Sequence, residues 1–175
     1  MESVSKPTWT QSLEKSVLNN RQIYFYNLIF LSYFNTTTNQ SELESFFFKF
    51  FNKNNFIFII DKRTDLFHIL AKNLCCELGW FFNLSREKYR VKGKIHIISS
   101  PTEENIDLFA KTWDILSVEE KKSFHQPISN CLTVEKPLLY DIDKFNSPEK
   151  VEISENFGVL EVIPFEGTPT SENLN

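Results

Sequence analysis

Two stretches of this chain combine residue types and spacings that could do chemistry. Asp61-Lys-Arg-Thr64 follows the apolar run FIFII and precedes Leu66, Phe67, Ile69 and Leu70, which would give a short helix an apolar face. A strand-to-helix turn with cations and a hydroxyl can hold a phosphate. The helix start offers free backbone N–H groups, and an arginine forks onto the oxygens. On these four residues alone, a capped turn with Arg63 at the surface explains the pattern equally well. The second stretch, WFFNLSREKYRVKG from Trp80 to Gly93, sets Arg86 and Arg90 around a polar tip at 83–88.

Other chemistry is poorly supplied. There is no G-x-S-x-G, Walker A loop, H-E-x-x-H or Gly-rich dinucleotide turn. His68, His96 and His125 stand apart, and His96 falls on the polar face of an alternating segment, where a solvated side chain is expected rather than a ligand. Cys131 has no recognisable base beside it. No catalytic residue can be named, and no metal set is expected.

The totals narrow the class. A chain of 175 residues with 41% hydrophobic and 24% charged residues suits one soluble globular domain. Net charge is −4 and no basic stripe occurs, which argues against a nucleic-acid partner. Three cysteines, two of them adjacent, form no disulfide framework and fit a reducing compartment. The start lacks the apolar run of a signal peptide, and the longest apolar stretch, 23–34, is too short to span a bilayer as a helix. A cytoplasmic or nucleocytoplasmic protein without a membrane partner is expected. Phe is unusually common, at 18, and Gly scarce, at 4, so Asn is expected at turns that need a left-handed backbone.

These residues must be positioned mostly by strands. Trp9, Leu13 and Val17 predict an amphipathic N-terminal helix. Aromatic and β-branched content predicts a buried strand over 23–34, then a polar turn at 35–41. Residues 45–51 and 56–60 read as a hairpin about the turn 52–55, and 76–82 as a further strand. From Tyr89 to Ile97 apolar residues and glycine alternate with Arg90, Lys92, Lys94 and His96, a half-exposed strand. Pro101 opens a helix carrying Ile106, Phe109 and Trp113, and Ser117-Val-Glu-Glu120 is a capping box for a short one ending near Phe124. Residues 129–154 read as a long loop, 157–163 as a last strand. The domain is placed at 1–165, with 166–175 as a disordered tail. This pattern is mainly β with short helices, a closed or partly closed antiparallel barrel.

Order and spacing then resemble a known family. ELGWFFNLSREKYRVKG is similar to the W-Y-F-x-x-x-R-E-Q-F-R-x-x-G motif of a pyridoxamine 5'-phosphate oxidase-like subfamily. Upstream, FIFIIDKRTDLFHILAKN resembles that family's L-x-F-x-T-D-x-R-S-x-K…N-P; downstream, TWDILSVEEKKSFHQP and NFGVLEVIP resemble its T-W-x-x-L-S…F…W-P and closing strand. The resemblance implies an antiparallel, Greek-key-like split β-barrel, a homodimer and FMN at the subunit interface. It assigns flavin contacts to Lys49, Asp61, Arg63, Thr64, Arg86 and Arg90. In the oxidases the flavin removes a hydride from an amine or alcohol carbon and passes it to oxygen, so the reactive chemistry is the cofactor's.

The match also shows damage. The family's leading phosphate-binding Arg aligns with Glu44, its phosphate-binding Lys with Leu66, and its ring-contacting Gln with Lys88. A charge-assisted hydrogen bond contributes about 1.5–3 kcal/mol. Two such losses beside an added carboxylate weaken binding by roughly 3–6 kcal/mol, on the order of two to four decades. The matched residues end at Pro164, before the strand from which the oxidases make further substrate and flavin contacts. The sequence therefore supports an FMN-binding protein, a flavin-dependent oxidoreductase of unassigned substrate, or a non-catalytic pseudo-enzyme that lost FMN and serves as a dimeric interaction or structural protein.

Overall fold

The computed structural model describes residues 8–73, 75–126 and 151–171. Its elements are α1 (Thr8–Asn20), β1 (Leu28–Asn35), β2 (Gln40–Phe47), β3 (Phe50–Asn52), β4 (Asn55–Asp61), α2 (Asp65–Leu70), β5 (Cys75–Phe82), β6 (Glu87–Ile98), α3 (Ile106–Asp114), α4 (Val118–Ser123) and β7 (Phe157–Ser171). The strands form one sheet in the order β2-β1-β5-β6-β7-β4-β3, and every pairing is antiparallel.

That order forces the sheet to curl. The edge strands β2 and β3 are joined by Phe48 and Lys49 alone. Laid flat, seven strands would hold those edges about 29 Å apart, whereas the three Cα steps from Phe47 to Phe50 reach about 11 Å. The sheet therefore rolls until its edges meet without a hydrogen-bonded ladder between them. Across the gap Phe46 of β2 and Phe58 of β4 pack with ring centroids 5.7 Å apart. The expected single strand over 45–51 is thus two strands, broken where Phe48 N–H bonds Asn27 O at 2.7 Å and Lys49 N–H bonds Ile57 O at 2.9 Å.

Two apolar clusters hold the roll. Inside lie Ile29, Leu31, Phe46, Phe48, Phe56, Phe58, Trp80, Tyr89 and Leu160, with Leu13 and Val17 of α1. Outside, Phe109, Trp113, Leu116 and Phe124 from α3, α4 and their ends cover Ile57, Ile98, Phe157 and Val159. β4 is therefore covered on both faces, which explains why its sequence is continuously apolar rather than alternating. β6 is covered on one face along most of its length and alternates as the sequence predicts.

Four boundaries differ from expectation. β1 begins at Leu28, because 23–27 turns over itself through Tyr26 N–H to Ile23 O at 3.1 Å and Leu28 N–H to Phe25 O at 3.0 Å. The polar turn is shorter than 35–41, since Gln40 and Ser41 pair with Asn35 and Phe34. α3 starts at Ile106, and Ile106 is exposed instead of joining the apolar face. Most substantially, the expected disordered tail from Glu166 is strand through Ser171, paired with Lys92 back to Glu87. β6 is long enough to need a second partner there, and that half of β7 is an edge, where Pro169 costs no ladder bond. Gly167 lets the Trp9 ring lie on the strand: a Cβ would sit 2.5 Å from the indole. Most of the loop expected at 129–154 falls outside the described residues, and 151–154 carries neither helix nor strand.

Candidate functional site

The β4–α2 turn forms as its sequence suggests, but its donors are turned inward. The Asp61 carboxylate accepts Arg63 N–H at 2.9 Å, and Asp61 O accepts both Thr64 N–H at 3.2 Å and the Thr64 hydroxyl at 2.7 Å. Thr64 is the N-cap of α2, accepting Phe67 N–H at 3.3 Å. Lys62 N–H bonds Asn156 O at 2.9 Å, and Lys62 Nζ bonds Ser99 O at 2.8 Å.

The Arg63 guanidinium is equally committed. Its Nε and one terminal nitrogen fork onto Asp61, and hydrogen bonding to that carboxylate raises the Arg63 pKa above its ordinary value. Its remaining donors reach Ser123 O at 3.2 Å and Gln126 O, the carbonyls at the end of α4. Lys49, in the crossing between β2 and β3, meets the other end of that helix. Its Nζ pairs with Glu120 Oε1, while Glu120 Oε2 accepts Ser117 N–H at 3.0 Å and completes the capping box. Lys49 and Arg63 thus clamp α4 from both ends.

The other expected contacts lie elsewhere. Arg86 sits in the β5–β6 turn with φ 53°, and Arg90, on the outer face of β6, pairs with Glu77 and is 60% exposed. Asp61 stands opposite Phe157 and Arg90 opposite Thr168, eleven positions further along β7. That is about 35 Å of strand. The described chain therefore brings Asp61, Arg63 and Thr64 together, but separates them from Arg86 and Arg90.

The departures also take definite places. Leu66 packs against the barrel cluster, Glu44 is exposed on the edge strand β2, and Lys88 is exposed opposite Phe81. A flavin phosphate needs free donors, and the turn residues that would supply them are bonded within the chain. The residues present do not fit that phosphate.

Sequence reasoning missed a cleft of about 660 Å³ beside Lys49. Its walls include Arg21, Tyr24, Phe25, Phe47, Lys49 and Glu120. Tyr24 is 70% and Phe25 52% exposed, their ring centroids 4.1 Å apart, and Phe47 lies 5.9 Å from Phe25. Phe25 has φ 63°, a left-handed backbone that costs a bulky residue about 1–2 kcal/mol. Arg21 makes no ion pair among the described residues. The available signal was the abrupt aromatic run between Asn20 and Asn27, which shows no strand alternation. Also among the described residues, no cluster of three or more His, Cys, Asp or Glu could hold a metal, and no helix is long and apolar enough to cross a membrane.

The chain matches no protein-family model and no curated protein. Solved structures do match. A pyridoxamine 5'-phosphate oxidase-related, FMN-binding protein from Nostoc punctiforme is similar with TM-score 0.78 at 19% identity, covering 95% of this chain and 86% of its own. A nimC/nimA family protein from Clostridium acetobutylicum gives TM-score 0.54 at 14% identity over 95% of this chain and 90% of that one. A protein from the same organism related to general stress protein 26, of the pyridoxinephosphate oxidase family, gives 0.51 at 10% over 98% and 94%. The rolled, incompletely closed sheet with short helices is the split-barrel fold of these proteins.

Proposed function

We propose that this chain is an FMN-binding split-barrel protein that works as a homodimer and holds its flavin weakly. The observation that carries the reading is the fold shared with the FMN-binding Nostoc protein over 95% of the chain. Homodimerisation has a further support. Phe30, Phe34, Leu43, Phe47 and Phe81 lie on the outer face of β1, β2 and β5 and are 45–62% exposed. Scattered apolar residues are ordinary on a surface, but five on neighbouring strands support the reading of this face as an interface. Arg90 shares that face with Phe81, so a docked second copy would lie beside it. Bound flavin would supply hydride chemistry, on a substrate that these residues do not define.

A second reading, a pseudo-enzyme that kept the barrel as a dimeric interaction or structural protein, is favoured by Glu44 and by the internal bonding of Lys49 and Arg63. Absorbance and fluorescence separate the two. The desalted protein is expected to be colourless, with added FMN quenched saturably at a Kd on the order of 10 µM to 1 mM. Stoichiometric yellow protein after desalting would refute the weak grip; no binding at millimolar FMN leaves the second reading.

A further inference from the structure

We propose that Arg21, and not the β4–α2 turn, takes the phosphate of a flavin lodged in the cleft beside Lys49, so that FMN binds more tightly than riboflavin. This rests on the flavin-binding reading above and names the residue that senses the ligand's charge within it. The cations that the family resemblance would put on a phosphate are held by the fold: Lys49 by Glu120, and Arg63 by Asp61 and the carbonyls of Ser123 and Gln126. Arg21 is in the opposite state. It is exposed on the cleft wall and makes no ion pair among the described residues. Lys49 neutralises Glu120, the carboxylate of that wall, which leaves Arg21 as its uncompensated charge in a chain of net charge −4.

Arg21 and the rings beside it stand on a turn that the barrel holds still. Ile23 N–H bonds Asn20 O at 2.9 Å and Tyr26 N–H bonds Ile23 O at 3.1 Å. Trp80 Nε1–H bonds Tyr26 O at 2.8 Å and Phe48 N–H bonds Asn27 O at 2.7 Å, which ties the far end to the core. At the near end Asn20 Nδ2 bonds Ser16 O at 2.8 Å, and Asn20 Oδ1 accepts Leu84 N–H at 3.1 Å. The bonds to Ser16 O and Asn20 O also occupy carbonyls at the end of α1 that would otherwise repel an anion. Tyr24 and Phe25 are 70% and 52% exposed on the same cleft wall, with ring centroids 4.1 Å apart. They offer a planar heterocycle a stacking surface, and the free guanidinium offers its anionic tail a forked donor. Phe47 at the rim belongs to the proposed dimer face and takes no part.

Flavin fluorescence quenching on residues 1–175 gives the FMN and riboflavin affinities. FMN should bind about tenfold more tightly, the effect of one charge-assisted contact. Its advantage should shrink as salt rises from about 0.05 to about 0.5 M, because an exposed cation is screened. Arg21→Gln should bring FMN to the riboflavin value, with riboflavin itself unchanged within about twofold. The melting temperature should stay within about 2 °C, since that side chain has no ion pair to lose. Arg21→Lys keeps the charge without the fork and should retain part of the preference. Phe25→Asn removes a ring and suits the φ of 63°, so it should weaken both flavins alike and preserve their ratio. Equal FMN and riboflavin affinities in the parent would overturn the inference and leave the flavin-binding reading standing. So would an FMN preference that survives Arg21→Gln, one that salt leaves unchanged, or an Arg21→Gln loss shared equally by riboflavin. A change of ratio in Phe25→Asn would separate ring from anchor and also overturn it. Failure of both flavins to bind would remove the inference and the underlying reading together.

Discussion

Glu120 is gripped from two directions, by Lys49 across the fold and by the backbone of its own helix start. Ser117→Ala removes the reciprocal half of that capping box, a loss of about 1 kcal/mol. The melting temperature should fall by about 2–4 °C; no change would mean that Lys49 alone positions the helix. Lys53 stands at φ 58° in the β3–β4 turn, so Lys53→Gly should raise the melting temperature by relieving a backbone cost of about 1 kcal/mol. The sequence predicts Asn at such positions, and Asn39 agrees, but Phe25, Lys53 and Arg86 do not. Local steric preference is too weak to override what a turn must connect. Three buried groups set an alkaline limit. Burial pushes the Cys76 thiol up to about 12, and burial likewise raises Tyr33 and Tyr89. Because the folded values exceed the ordinary 9.0 and 10.0, their contribution is complete below those values and is lost as pH rises past them. The urea midpoint should hold to about pH 9 and decline towards pH 11; a flat profile would contradict it. Glu42 has the opposite sign. Hydrogen bonds from Tyr33 and Asn35 lower its pKa, so its contribution is present above 4.5 and lost as pH falls through the lowered value.

At the level of elements, alternation was the reliable signal. β6 was legible because one face is covered and the other is wet, and α4 because its capping box is written in four adjacent residues. The Phe run at 46–51 was not legible as two strands. Phenylalanine satisfies either face, so nothing in the composition marks the point where the chain leaves one edge of the sheet for the other. The stretch after Pro164 misled for a different reason. Pro, Gly, Thr and Glu read as a loop, yet the unpaired flank of β6 and the Trp9 ring supply what the local sequence lacks. Gly167→Ala tests that packing. Its methyl group meets the indole at 2.5 Å, so stability should drop by about 1–3 kcal/mol with a change in tryptophan emission.

For the molecule as a whole, the sequence groups residues only where they are neighbours along the chain. Asp61, Arg63 and Thr64 cluster because they are consecutive. Their distance from Arg86 and Arg90 follows from the register of β7, which no motif encodes. Quaternary structure is the corresponding prediction. Sedimentation should report a dimer, and Phe30→Glu with Phe34→Glu should convert it to a folded monomer, since both side chains already face outward. A monomeric parent would refute the interface on β1 and β2.

The β6–β7 ladder pairs Glu87 with Ser171, residues separated by more than eighty positions. During synthesis, then, the barrel cannot close before the second half of β7 is made. β6 must wait with one flank bare until Ser171 has left the ribosome. Refolding of residues 1–175 should accordingly be slow, in the range of milliseconds to seconds. A nascent chain halted at Pro164 should collect chaperones or aggregate where one that extends past Ser171 does not.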